Sequence, residues 1–452
     1  MSRVMLVGAG PLPDPQIRRV TFPQLRTHHF AHALACAGHQ VGLVCLRQPD
    51  DGPPSRPRGP LEQVWDLSTL RPDWLDGLRA LARQHDPELW VSAGPYLPLH
   101  TARVVRDLPY WADLPGDPFA EAQARAARLA PDDQAEPLPA GPWQAHAAAT
   151  LAALDRADAF SVCSEPQRFA LLGQLGVLGR LALARPERRW AAVVPPAYDF
   201  ALPQGTPRQR APGSTLVVLL AGGFNTWLDE DATLQGLLLA MDRGLPIRVL
   251  VTGGDLPGHH SAGWQEFEQG VARSAHAQRF ELLGWIPHGD LPARLAQAHL
   301  LLSVDRPGAE PLLGSRTRLV FGLHQGLELM ATTPCELAAS LAEQGFLRSL
   351  PSPTAQAVAD ALAQAVERGS DGQVVDQAQA WLSRAFEPTA LAAPLLAWAE
   401  APQRSPAGTS GALELAAQLA QVRSELAGVY ATPTWRLLSS LHGLLGRLLG
   451  RG

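Results

Sequence analysis

The residues best suited to chemistry lie in the second half of the chain. Gly222-Gly223-Phe224-Asn225 follows an apolar run, and Gly253-Gly254 closes the run Ile247 to Thr252. A strand ending on glycine lets a bulky anion approach the backbone without meeting a Cβ. Further on, Arg306, Glu310, Ser315, Arg316, Thr317 and Arg318 crowd into one short stretch. The run Gly314 to Arg318 can open a helix whose first N–H groups lack intrahelical acceptors and point at phosphate. Its guanidiniums add bidentate charge, and the Glu310 carboxylate is suited to accept hydrogen bonds from sugar hydroxyls.

The first half carries weaker signals. Gly8-Ala9-Gly10 follows an apolar run, but the third glycine of a dinucleotide fingerprint would fall on Pro13. Gly10 reads as part of either a loop facing substrate in a cleft or an ordinary βα turn. His28 and His32 have the i, i+4 spacing of zinc-binding histidines without the accompanying carboxylate, so a packed or cleft-facing histidine is expected and no metal site is assigned.

Composition removes whole classes of enzyme. All 38 basic residues are arginine, so the chain cannot form a Schiff base through lysine or use the lysine of a P-loop or a protein kinase. Any phosphate must be met by arginine, backbone N–H groups and helix N-termini. A net charge of −5 argues against a general nucleic-acid binder. Cys36, Cys45, Cys163 and Cys335 show no C-x-x-C spacing, which fits a reducing, cytoplasmic compartment. The N-terminus lacks the pattern of a signal peptide, and no apolar run reaches spanning length.

The elements that must position these residues are legible as alternating apolar runs and helical patterns. Val4 to Val7, a helical stretch near Thr27 to Ala37, and Val41 to Leu46 form a βαβ unit. The pattern continues to residue 202, passes a polar, turn-rich linker at 203–214, and restarts at Thr215. The expected organisation is therefore a first α/β domain over 1–202 and a second over 215–372, each a doubly wound parallel sheet. Closing helices follow at 373–400, then a flexible linker at 401–411 and a helical tail at 412–452. In the tail, Leu415, Leu419, Val422, Leu426 and Val429 make a short heptad seam, and the leucine- and arginine-rich end could lie on an anionic membrane surface or pack on protein.

These residues resemble the GT-B glycosyltransferases, in particular the retaining class similar to glycogen synthase and sucrose synthase, over most of residues 1–400. The resemblance is carried by Arg26 to Val44 as the opening helix and strand, Tyr110 to Gly116 as an acidic cleft loop, Leu283 to Pro287 with Leu291 to Ala298 as a nucleobase-binding loop and helix, and Glu310 as the first member of a paired-glutamate motif. It implies two Rossmann-like domains facing across a cleft. The base would lie near Trp285 and Ile286, and the diphosphate near Gly222, Gly223, Arg316 and Thr317, with Asn225, Gly253, Gly254, Arg306, Ser315 and Arg318 completing the donor site. Glu310 would face the transferred sugar and Asp113 the reacting centre from the other domain, with Gly10, Arg26, Thr27 and His28 lining the acceptor side. The sequence departs from the class in having Arg318 where the second glutamate would fall and Glu328 where proline is common.

What the resemblance implies is transfer of a sugar, with retention, from a nucleotide-diphosphate donor to a glycan, lipid or other acceptor. No cofactor is needed, and the absence of a D-x-D motif points to metal independence. The alternatives are a nucleotide-sugar epimerase of the same architecture and a non-catalytic subunit of a glycan-assembly complex. The tail suggests self-association or peripheral contact at the inner membrane.

Overall fold

The computed structural model describes residues 1–48, 51–105, 107–129, 140–183, 189–256, 261–370 and 372–405, with six isolated positions beyond. The apolar runs of the first half form strands β1 (Arg3–Ala9), β2 (Gln40–Arg47), β3 (Gln63–Ser68), β4 (Leu89–Ala93), β5 (Tyr110–Asp113), β6 (Ala159–Val162) and β7 (Ala191–Val193). They make one parallel sheet of order β3-β2-β1-β4-β5-β6-β7. The second half gives β8 (Leu216–Gly223), β9 (Ile247–Gly254), β10 (Phe280–Gly284), β11 (Leu300–Ser303), β12 (Glu328–Ala331) and β13 (Leu347–Ser349), again all parallel, in the order β10-β9-β8-β11-β12-β13. Both orders reverse beside the first strand of their half, the doubly wound pattern with a crevice at the reversal.

Strand composition explains why both sheets are buried on two faces. In β8, Leu216, Val218 and Leu220 pack into one core layer, while Val217, Leu219 and Ala221 pack into the other. β1 divides in the same way, with Met5 and Val7 on one side and Val4 and Leu6 on the opposite side. Continuous apolar runs suit a parallel sheet sandwiched between helices, where alternation would leave polar side chains in a core.

The closing helices tie the two halves together. Gln373–Ala385 packs Ala378 and Leu382 into the second domain. The chain then crosses back: Leu395 and Ala399 of the helix Ala393–Glu400 enter the core of the first domain, and the Trp398 ring meets Trp111 at 5.5 Å. His29 anchors this return, its Nε2 donating to the Pro388 carbonyl at 2.5 Å. Apart from the isolated positions, the linker and tail readings from 406 onward lie outside the described residues. Among the described residues, no helix is long and apolar enough to cross a membrane.

Candidate functional site

The carboxyl ends of the two sheets face each other across a cavity of about 500 Å³, within the range of small-molecule sites. The first domain contributes Ala9 from the end of β1, Tyr96 after β4, Gly116 after β5 and Cys163 after β6. The second contributes Gly222 and Gly223 from β8, Thr252 and Gly253 from β9, and Gly284, Trp285 and Ile286 from β10 onward. Ligands of doubly wound sheets bind outside these strand ends at the reversal of strand order, and here two such crevices share one space.

Glycine is required where the second domain meets the cavity. Gly253 has φ +96°, and a Cβ there would lie 2.1 Å from the Gly222 carbonyl oxygen, so only glycine lets β8 and β9 end side by side. Gly222, at φ +89°, has open space where its Cβ would be. Asn225 lines the same edge. The Trp285 indole is fixed by donation of its Nε1 to the Asp255 carbonyl at 2.9 Å.

Helix Thr317–His324 opens on the cavity with Thr317 and Arg318, preceded by Ser315 and Arg316. The two neighbouring arginines have different surroundings. Arg316, 4% exposed, donates Nη1 and Nη2 to the two oxygens of Glu310 at 3.2 and 2.8 Å and Nε to Asp305 at 2.7 Å. Burial opposes its charge, but Asp305 and Glu310 together outweigh that and hold its proton more firmly than usual. Arg318 donates Nη2 to the Gly223 carbonyl at 3.2 Å, and among the described residues no carboxylate lies within ion-pair distance of it. Burial holds its pKa below the ordinary value. Among the described residues of the second domain that line the cavity, Arg318 is therefore available to a ligand, while Arg316 is committed to Asp305 and Glu310.

Several residues expected in the site lie outside the cavity lining. Asp113 ends β5 but turns inward, where its oxygens accept from Arg26 Nε and Nη2 at 3.0 and 2.8 Å, Gly94 N–H at 3.0 Å and Ser161 Oγ at 2.6 Å. Those four donors occupy the carboxylate that was expected at the reacting centre. Arg26 is its buried counter-ion. The Thr27 hydroxyl accepts from Ala9 N–H and donates to the Pro23 carbonyl, and Gly10 N–H donates to the Leu46 carbonyl, so both hold the β1 loop. The His28 ring stacks on Phe200 at 4.4 Å, with His32 on the same ring at 4.9 Å, and burial lowers the His28 pKa to about 4. Gly254 accepts from Phe224 N–H and lies against Trp264. Arg306 pairs with Asp229 and Glu230 at 3.4 and 3.3 Å. Glu328 sits at the opposite end of the sheet, where it opens β12 and accepts from Arg348.

Among the lining residues that the sequence did not mark are Arg18, Glu121 and Tyr96. Arg18 reaches across from the first domain, its Nε donating to the Trp285 carbonyl at 3.1 Å. Glu121, in the first turn of helix Pro118–Leu129, faces the same space and accepts a hydrogen bond from the Tyr96 hydroxyl. Tyr96 itself sits at φ +63°, a left-handed conformation costly for a side-chain-bearing residue. No motif marks any of the three. A glutamate in a first helical turn reads as an ordinary complement to the helix dipole.

Contacts on both flanks hold the cleft shut. His288 N–H donates to the Ile17 carbonyl at 2.8 Å, and Ser164 Oγ donates to the Leu313 carbonyl at 2.5 Å. Arg128 of the first domain pairs with Glu230 of the second.

The same architecture occurs among solved structures. Sucrose-phosphate synthase from Thermosynechococcus elongatus is similar with a TM-score of 0.60, over 88% of this chain and 98% of its own, at 14% identity. HepE of Anabaena, solved in complex with UDP and glucose, is similar with a TM-score of 0.57 over 89% of this chain and 100% of its own, at 15% identity. The fold is GT-B. A glycosyltransferase from Rickettsia africae shares it, with a TM-score of 0.54 over 88% of this chain and 97% of its own, at 10% identity. No protein-family model matches the chain, and no curated protein matches it in sequence. In GT-B terms, the cavity described above is the cleft between the two Rossmann-like domains.

Proposed function

We propose that this protein transfers a glycosyl group from a nucleoside-diphosphate sugar to a hydroxyl acceptor, a glycan or glycolipid, held by the first domain. The observation that carries this reading is Arg318: a guanidinium with no carboxylate at ion-pair distance among the described residues, beside the glycine-ended strands β8 and β9 and the first turn of helix Thr317–His324. Those groups suit a diphosphate, which needs backbone clearance, free N–H donors and positive charge at one place. Arg18 adds a second cation from the opposite domain. HepE, which shares the fold, has also been solved in complex with UDP-glucose.

In this reading the donor's base lies along Trp285 and Ile286, its diphosphate spans Gly222, Gly223, Thr317 and Arg318, and Glu310 accepts hydrogen bonds from the sugar. Arg316 acts on Glu310 as a positioning residue. As the bond to the sugar breaks, charge accumulates on the departing diphosphate, and fixed donors in a closed, water-poor cleft stabilise it. No step requires a metal, because arginine and N–H groups supply the positive field. A cytoplasmic location completes the proposal.

The test is thermal stabilisation by UDP, GDP, dTDP and ADP, followed by product analysis with the matching sugar nucleotide. Binding at a hundredfold the dissociation constant stabilises by about 2.7 kcal/mol. A shift with one nucleoside diphosphate that Arg318→Ala abolishes supports the donor site, and indifference to all four overturns it. A donor converted to its epimer without any acceptor would make the protein an epimerase.

A further inference from the structure

The carboxylate that the resemblance assigned to the first domain's side of the reaction, Asp113, is locked in a buried ion pair, yet that side of the cavity does present a carboxylate. We infer that Glu121 is the proton acceptor for the acceptor hydroxyl, an assignment that rests on the glycosyl-transfer reading of the cavity. Three features build the position. Asp117 accepts the N–H groups of Phe119 and Ala120 at 3.0 and 2.8 Å and so fixes the first turn of helix Pro118–Leu129. Gly116 leaves space for the carboxylate, since a Cβ there would meet Glu121 Oε1 at 2.2 Å. Tyr96 donates its hydroxyl to Oε2 from a strained left-handed backbone, leaving Oε1 to accept a further proton.

Glu121 belongs to the domain opposite the donor-binding strands, so its place is on the acceptor rather than on the leaving diphosphate. The step balances without a further reactant. The acceptor oxygen bonds to the anomeric carbon as its proton passes to Glu121, the bond from that carbon to the diphosphate oxygen breaks, and the electron pair leaves on the nucleoside diphosphate. Glu121 then returns its proton to solvent. Burial pushes the Glu121 carboxyl up to about 7, with the push of Glu310 and Asp117 and against the pull of the Tyr96 hydrogen bond and of the Arg125 charge one helical turn on. A base poised near the working pH is the effective one.

The experiment measures sugar release from UDP-, GDP-, dTDP- and ADP-glucose with water as acceptor, from pH 5.5 to 9, beside thermal shifts with the four free diphosphates. The variants are Glu121→Gln, Glu121→Asp and Tyr96→Phe. Expected are a loss of about 10²- to 10⁴-fold in turnover for Glu121→Gln with diphosphate binding intact, and disappearance of the acid limb of the pH profile. Glu121→Asp keeps that limb, and Tyr96→Phe moves it to higher pH by removing a donor to the carboxylate. A Glu121→Gln protein that turns over donor like wild type, or an acid limb unmoved in Tyr96→Phe, overturns the assignment alone. A wild-type protein that binds no diphosphate overturns the reading of the cavity and the assignment with it.

Discussion

Arg316 bridges two carboxylates, reaching both oxygens of Glu310 through its Nη atoms and Asp305 through its Nε. All three side chains are nearly sealed from solvent, at 4%, 6% and 4% exposure for Arg316, Glu310 and Asp305. Such an arrangement fixes the orientation of the carboxylate that faces the cavity, because rotating Glu310 would break a forked, charge-assisted pair.

Replacing Arg316 with alanine should leave two buried carboxylates without their cation. Removing one partner of a buried pair typically costs about 3–5 kcal/mol. The expected outcome is a drop of many degrees in Tm together with loss of transfer. Arg316→Lys restores the charge without the fork and should recover stability in part. Calorimetry on the unliganded protein measures both, and an unchanged Tm in Arg316→Ala would show that the bridge contributes nothing.

Arg318→Ala should behave in the opposite way. The side chain makes one hydrogen bond to the Gly223 carbonyl and is only partly buried, so the melting temperature should move little. Losing a charged hydrogen bond to bound diphosphate should weaken affinity by about 1.5–3 kcal/mol, roughly 10- to 100-fold. Titration calorimetry with the preferred nucleoside diphosphate reads this directly. An affinity within twofold of wild type would remove Arg318 from the donor site.

The contrast between these two arginines shows where sequence reading reaches its limit. Alternating apolar runs and glycine-ended strands sufficed for two doubly wound domains, and glycine spacing placed Gly222 and Gly253 on the cavity, since both follow from local chemistry. Which arginine of Arg316 and Arg318 is spent on Asp305 and Glu310 depends on side-chain direction at the start of a helix, and spacing does not encode that. Asp113 and Glu121 show the same limit across a longer distance. Both are acids near the end of β5, but only the fold reveals that Arg26, Gly94 and Ser161 surround the first. Glu121 and Tyr96 are brought together by the sheet, from positions that no local pattern connects.

The Asp113–Arg26 pair yields a third prediction. Both side chains have no solvent exposure, so Asp113→Ala strands a buried guanidinium and should destabilise by about 3–5 kcal/mol. Any loss of transfer in this variant should follow its loss of folded protein. Turnover per folded molecule, normalised by circular dichroism, makes the distinction. An Asp113→Ala protein with wild-type Tm and no turnover would return Asp113 to the catalytic role that its buried geometry denies.

His28 gives the fold an acid-sensitive point. Stacked on Phe200 and buried, with Asp199 favouring its charge and His32 and His288 opposing it, the ring has a folded-state pKa of about 4 against an ordinary 6.5. Above pH 6.5 the ring is neutral in both folded and unfolded chains, so it makes stability no more pH-dependent there. Between 6.5 and 4 only the unfolded chain takes up the proton, so stability must fall with pH across that window, by up to about 3 kcal/mol from this group. His28→Gln removes the proton site. It should lower the Tm at pH 7.5 slightly, through lost packing on Phe200, while making the decline from pH 7 to 4.5 shallower than in wild type. Parallel declines in the two proteins would show that His28 takes no part in acid unfolding.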